Sequence, residues 1–150
     1  MKTRVLIPAV ALGLLLSGCA LTPPGPPPDQ RSGPPAGCPG GGAECNVYVD
    51  VTSCTQVAFE PDPLEVKGGT RVIHWRIRLG EGSYTFAPTG IIIKGSDPDD
   101  QFQNGRSVDQ GNGYLLTDRN TNTKTYRYGV DLMHGTEACP RFDPTIINQR

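Results

Sequence analysis

The chain has 150 residues, including 19 glycines, 15 prolines and 5 cysteines. Its 14 basic and 15 acidic residues give a formal net charge of −1. Because the sequence has no basic block, nucleic-acid binding has no electrostatic support, and the length leaves room for one domain after the amino-terminal segments.

The amino terminus has the layout of an export signal. Lys2 and Arg4 precede an apolar run over residues 5–16, interrupted only by Pro8 and Gly13. A run of this length matches the apolar region of a signal peptide. It is shorter than the roughly 20 residues that a helix needs to span a bilayer. The pattern therefore predicts an exported protein without a simple transmembrane anchor.

The end of this run carries a second motif. The stretch Leu16-Ser17-Gly18-Cys19 resembles the lipobox of bacterial lipoproteins. That resemblance implies a signal peptide of residues 1–18, cleavage before Cys19, lipidation of the Cys19 thiol and acylation of its new amino group. Two or more acyl chains hold a protein stably on a membrane. Ala20 follows the cysteine, and similarity to sorting in Gram-negative bacteria then favours the outer membrane.

The composition changes sharply after the lipobox. Residues 19–44 contain 8 prolines and 6 glycines. Proline lacks the N–H that a strand ladder needs, and glycine loses the most conformational entropy on ordering. We therefore predict a disordered Pro/Gly-rich linker over residues 19–44 that holds the following domain away from the membrane.

Residues 45–150 show the period-two alternation typical of β-strands. The clearest runs are 47–51, 64–66, 73–79, 84–86, 91–93 and 126–132, with weaker segments at 102, 114–116 and 146–147. Turn-forming residues separate these runs. The pattern predicts a single antiparallel-rich β-sandwich, cupredoxin-like or immunoglobulin-like, with Trp75 at the centre of its core.

Four cysteines follow Cys19, and an even number in an exported chain indicates two disulfides. A strand between Cys45 and Cys54 would hold these two residues far beyond the Cα separation of about 5.5 Å that a disulfide needs. Two pairings remain. We prefer Cys54–Cys139 with Cys38–Cys45, since the second bond closes a flexible glycine-rich loop. The alternative is Cys45–Cys139 with Cys38–Cys54.

The order of segments resembles that of cupredoxins. The stretch Phe-Glu-Pro-Asp-Pro-Leu-Glu-Val-Lys-Gly-Gly at 59–69 precedes the strand that carries Trp75, and Tyr126-Arg127-Tyr128 is similar to the penultimate cupredoxin strand. The chain also looks like a poorly characterised group of secreted bacterial β domains. These end in Cys, a short spacer and Asp-Pro-Thr-Ile, here Cys139 and residues 143–146. The resemblance covers about residues 45–148 and implies a fold rather than an activity.

The copper-ligand pattern of cupredoxins is not reproduced. A blue-copper site uses a histidine after the tryptophan strand, and then Cys, His and usually Met on the last loop. Here Met133 and His134 precede Cys139, which we assign to a disulfide. His74 alternates with inward-facing neighbours and should face outward, while His134 should be an exposed loop residue. We therefore predict no metal and no cofactor.

A second group of polar residues is concentrated between 97 and 109. Its members are Asp97, Asp99, Asp100, Asn104 and Asp109. We predict that they share one long solvated loop. Hard oxygen ligands suit Ca²⁺, but the spacing departs from the EF-hand loop, so only weak metal binding is left open.

The tyrosines divide into two predicted classes. Tyr126 and Tyr128 alternate with polar residues and should belong to the core. For Tyr48 and Tyr114, packing in the core or at a sheet edge is the preferred interpretation, and exposed contacts with carbohydrate or protein are the alternative.

Catalytic motifs are not found in the sequence: it has no nucleophile elbow, phosphate loop, dinucleotide fingerprint or zinc-protease motif. We predict a non-enzymatic envelope lipoprotein that binds a protein or polysaccharide partner or serves structurally. One alternative is a metal-handling relative of cupredoxins. Another is an envelope inhibitor or immunity protein directed against a hydrolase.

Overall fold

The structure is a computed structural model, which describes residues 33–97 and 99–150. These residues belong to one compact unit, Gly33–Arg150. Its strands are β1 (Glu44–Ser53), β2 (Gln56–Glu60), β3 (Leu64–Lys67), β4 (Arg71–Leu79), β5 (Tyr84–Lys94), β6 (Phe102–Val108), β7 (Gly113–Asp118), β8 (Thr125–His134), β9 (Glu137–Ala138) and β10 (Thr145–Gln149). A 3-10 turn, Asp109–Gly111, lies between β6 and β7. Within the described residues, no helix has the length and apolarity needed to cross a membrane.

The strands form two mixed sheets. The first sheet has the order β2-β1-β4-β7-β6, and the second has the order β3-β10-β8-β5, with β9 paired to β8. The pairs β1–β4 and β3–β10 are parallel, whereas the remaining pairs are antiparallel. The predicted all-β sandwich is therefore confirmed.

The core lies between the two sheets and follows the alternation of the sequence. On β1 the inward residues are Val47, Val49 and Val51, and on β4 they include Trp75, whose side chain is fully buried. Side chains at successive positions of a strand point to opposite faces, so one apolar face per strand supplies the core. The prediction that Trp75 belongs to the core is confirmed.

Two strands differ from the sequence-based expectation. The segments 84–86 and 91–93 belong to one strand, β5, whose pairing with β8 is irregular between Phe86 and Ile91. The predicted long loop over 97–109 is wrong, because β6 runs through it and pairs with β7. The polar sequence of β6 fits an edge strand whose central residues are exposed.

The described end of the predicted linker lies against the first sheet. Gly37 and Asn46 exchange two backbone hydrogen bonds of 2.7 and 2.8 Å, and the Val72 N–H donates to the carbonyl of Ala43. The Tyr48 hydroxyl donates to the carbonyl of Pro34. Residues 33–44 are thus part of the folded unit, although their composition predicted a disordered linker. The remainder of that linker, 19–32, lies outside the described residues.

Candidate functional site

The predicted anchor, Leu16-Ser17-Gly18-Cys19, lies outside the described residues. Lipidation of Cys19 therefore stays a prediction, as does the signal peptide over residues 1–18.

The two disulfides of the structure follow the preferred pairing. Cys38 is bonded to Cys45 with a Cα separation of 4.1 Å, and Cys54 is bonded to Cys139 with a Cα separation of 4.9 Å. Cys45 lies near the start of β1 and Cys54 directly follows its end. The two bonds therefore fasten opposite ends of the same strand, one to the preceding segment and the other to the last loop.

The three residues considered as copper ligands do not come together. Cys139 is oxidised in a disulfide, and His134, at the end of β8, stacks on Tyr84 with ring centroids 4.7 Å apart. His74 lies on the outer face of the first sheet, between Glu44 and Asp109. Within the described residues, no group of three or more His, Cys, Asp or Glu side chains could hold a metal ion.

The acidic residues considered for Ca²⁺ have separate partners. The Asp97 carboxylate accepts the backbone N–H of Gln101 at 2.9 Å and that of Phe102 at 3.2 Å, which fixes the turn before β6. Asp99 accepts from Asn122, Asp100 accepts from Gln103, and Asp109 lies 3.7 Å from His74. Asn104 is part of β6. The long-loop cluster predicted from the sequence therefore does not form.

The tyrosines follow the preferred interpretation. Tyr126 and Tyr128 are buried, as predicted. Tyr114 is also buried, on the inner face of β7 beside Phe86, so core packing is confirmed and the alternative of exposed contacts is wrong for this residue. Tyr48 lies on the outer face of the first sheet, where the Arg78 guanidinium covers its ring at 5.0 Å.

The outer face of the first sheet carries a buried histidine. His74 faces outward, as predicted, yet only 7% of its surface is exposed. Its Nδ1 lies 3.4 Å from the Glu44 carboxylate, and its Nε2 has no hydrogen-bond partner. Arg76 also donates to Glu44, at 2.9 Å. Burial, together with the nearby Arg76 charge, lowers the pKa of His74, although Glu44 and Asp109 oppose this shift.

The same face carries an ion-pair cluster farther along β1 and β4. Arg78 donates to both oxygens of Asp50, and its Nη2 lies 2.9 Å from Glu60 of β2. Hydrogen bonds from the guanidinium to Asp50 and Glu60 raise the pKa of Arg78. The cluster links the neighbouring strands β1, β2 and β4. Both carboxylate partners of Arg78 belong to the same domain.

The outer face of the second sheet contains an open depression of about 420 Å³, here called the β8 depression. It is lined by Ala87, Asp131, Leu132, Met133, Ala138, Cys139 and Arg141. Most of this lining is apolar, and the polar part is an ion pair. Arg141 donates through Nε and Nη2 to the two oxygens of Asp131, at 2.6 and 2.7 Å. Such a bidentate pair orients the guanidinium.

Gly129 makes room for this arrangement. A Cβ atom at position 129 would lie 2.7 Å from Cδ of Arg141, so the arginine side chain lies across the glycine. No pattern in the sequence indicates the β8 depression. Its lining comes from β5, β8, β9 and the segment after β9, which only the register of the second sheet brings together.

Comparison with known proteins adds no relative: no protein-family model matches this sequence, and no curated protein matches it.

Proposed function

We propose that this chain is a lipid-anchored protein of the bacterial cell envelope, and that its β-sandwich is a non-enzymatic module that binds a protein or polysaccharide partner. The observation that carries the binding role is the β8 depression, which opens on the outer face of the second sheet.

The lipobox and the disulfides support the envelope location. Leu16-Ser17-Gly18-Cys19 supplies the residues for lipidation, and the apolar run before it is too short for a spanning helix. Disulfides such as Cys38–Cys45 and Cys54–Cys139 persist in oxidising compartments outside the cytoplasm. The lipobox and the disulfides therefore both support export of the chain from the cytoplasm.

The chemistry of the β8 depression supports binding rather than turnover. Met133 and Ala87 offer apolar surface, and Asp131 with Arg141 offers hydrogen-bonding groups of both charges at its edge. Arg and Met are enriched at protein interfaces, and a few orienting polar groups in an apolar surface are typical of binding sites.

Site-specific photocrosslinking in cells tests this proposal. A photoreactive residue at Met133 should give a discrete adduct with an envelope component. The control is a photoreactive residue at Thr52, an exposed outward position of β1 on the other sheet. The adduct should also weaken when Arg141→Glu is combined with the probe at Met133. Equal adducts from both positions, or none from Met133, would contradict a binding role for this surface.

A further inference from the structure

One end of the sandwich is closed by a buried polar cluster. Its side chains are Asp118, at the end of β7, Asn148 of β10, and Asn120, which follows β7; their exposures are 0%, 0% and 2%. Asn148 Nδ2 donates to Asp118 Oδ1 at 3.1 Å, so a side-chain hydrogen bond joins the first sheet to the second. Asn120 Nδ2 reaches the carbonyls of Val66 and Gln149 on the second sheet.

The two carboxyl oxygens of Asp118 differ in the number of hydrogen bonds that they accept. Oδ1 accepts two hydrogen bonds, from the Asn120 backbone N–H at 2.8 Å and from Asn148 Nδ2. Oδ2 has no hydrogen-bond partner, although it is buried. A carboxylate carries acceptors on both oxygens, and a buried charged oxygen without a donor is costly.

Two further acceptors in the same cluster lack a donor. The amide oxygens of Asn120 and Asn148 are buried and have no partner. Both residues bond to Asp118, through the Asn120 backbone N–H and the Asn148 amide nitrogen. Three buried acceptor oxygens of this cluster are therefore without a donor.

Asp118 has no ion-pair partner in the described part of the chain. Its cross-strand neighbour on β4, Arg71, directs Nη2 to the carbonyl of Lys67 at 3.1 Å, and the buried Nε of Arg71 has no hydrogen-bond partner. The other ionisable groups nearby are Asp97 and Tyr126. Burial, with a contribution from the Asp97 charge, raises the pKa of Asp118 above its ordinary value of 3.8, against the opposing hydrogen bonds from Asn120 and Asn148.

We propose that Asp118 is held as a neutral carboxylic acid, with its proton on Oδ2 donated to the amide oxygen of Asn120 or Asn148. The carbonyl oxygen Oδ1 then keeps its two donors, and the hydroxyl supplies a donor to one of the two unpartnered amide oxygens. The proton thus forms part of a clamp between the two sheets. It lies at the end of the sandwich where β4 begins, beside the Ala43–Val72 backbone hydrogen bond that holds the incoming chain.

The clamp makes the stability of the fold decrease as the pH rises above about 3.8. A carboxyl group whose pKa is raised in the folded state binds its proton more tightly there than in the unfolded chain. Its contribution to the free energy of unfolding is therefore complete below about pH 3.8, which is the pKa of the unfolded chain. The contribution decreases as the pH rises toward the pKa of the folded state. Ionisation leaves a buried charge without a cation at the junction of the sheets.

Two asparagine substitutions in the full chain test the proposal, because asparagine imitates a protonated aspartate. Asp118→Asn should keep or raise Tm at pH 7 and remove a decline in Tm toward higher pH. Asp97→Asn is the matched control: Asp97 accepts two backbone N–H groups, so its neutralisation should lower Tm. A drop in Tm at pH 7 for Asp118→Asn as large as that for Asp97→Asn would overturn the proposal.

A direct measurement separates the proton from a bound cation. The carboxyl ¹³C resonance of Asp118 should stay at its protonated position at pH values where ordinary aspartates have ionised. Titration at or below 3.8 would overturn the proposal. A rise in Tm with added Ca²⁺ or Na⁺ that is lost in Asp118→Asn would also overturn it, since a cation would then occupy the cluster.

Discussion

The indole N–H of Trp75 donates a hydrogen bond of 3.0 Å to the hydroxyl oxygen of Tyr128, across the core from the first sheet to the second. Both side chains are fully buried, and their rings meet edge to face with centroids 5.4 Å apart. Trp75 belongs to the central strand β4, and Tyr128 belongs to β8. The contact therefore fixes how the two sheets face each other at the middle of the core.

Removal of the Tyr128 hydroxyl should destabilise the domain. Tyr128→Phe keeps the ring but leaves the buried Trp75 N–H without a partner, which costs about 1–3 kcal/mol. Urea unfolding followed by tryptophan fluorescence measures the loss. Tyr126→Phe is the control, since the Tyr126 hydroxyl bonds to the partly exposed Asn122, where water can substitute. Equal losses in the two variants would contradict the special role of the Trp75–Tyr128 bond.

The two disulfides should contribute unequally to stability. Cys38–Cys45 spans 7 residues of sequence and Cys54–Cys139 spans 85. Loop-closure entropy then gives about 2.5 kcal/mol for the short loop and about 4.6 kcal/mol for the long one. Unfolding of the double variants Cys38→Ser/Cys45→Ser and Cys54→Ser/Cys139→Ser compares the two bonds. A greater decrease in the free energy of unfolding for the Cys38→Ser/Cys45→Ser variant would contradict this ranking. Non-reducing peptide mapping checks the pairing itself.

Acidification should weaken the fold through His74. Because burial lowers its pKa in the folded state, the unfolded chain binds the proton more tightly. Neutral His74 makes its full contribution to the free energy of unfolding at pH values above 6.5, the ordinary pKa of histidine. This contribution is lost progressively as the pH falls below that value. The slope for one proton is at most about 1.4 kcal/mol per pH unit.

Two histidine variants check this assignment by chemical denaturation between pH 5 and pH 8. His74→Gln should flatten the decline in unfolding free energy, whereas His134→Gln should retain the decline because His74 is still present. If His134→Gln removed the decline and His74→Gln kept it, the assignment to His74 would be wrong.

The β8 depression should depend on Gly129. Gly129→Ala places a Cβ atom against Arg141 and should displace its side chain from Asp131. The ion pair is partly exposed, so its loss should change stability by less than about 1 kcal/mol. The photocrosslink from Met133 should nevertheless weaken. Gly40→Ala is the control, since nothing lies within 4 Å of its added Cβ; an equal effect there would refute the role of Arg141.

Strands with a buried apolar face could be recognised in the sequence. The runs that became β1, β3, β4 and β8 alternate because each buries one face in the core. β2 has a weak pattern because Val57 and Phe59 are only half-buried at the sheet edge. The sequence of β6 is typical of a loop because its middle residues are polar and exposed, and its pairing with β7 is interrupted between Gln103 and Arg106.

The sites depend on contacts that the sequence does not reveal. The outward position of His74 followed from alternation. The burial of His74 could not be predicted in this way, because Glu44 and Asp109, which flank it, lie far from it in sequence. The clamp at Asp118 likewise needs Asn148 from the other sheet. The cysteine pairing was easier to predict from the sequence, because an extended strand between Cys45 and Cys54 excludes a bond between these two residues by distance alone.

Mass spectrometry of the amino-terminal peptide, from protein extracted from cell membranes, is the most direct test of the proposed anchored module. The peptide should begin at Cys19 and carry a thioether-linked lipid together with an acylated α-amine, and Cys19→Ser should release the protein from the membrane fraction. A mature chain that begins elsewhere, or an unmodified Cys19 thiol, would contradict the lipid anchor.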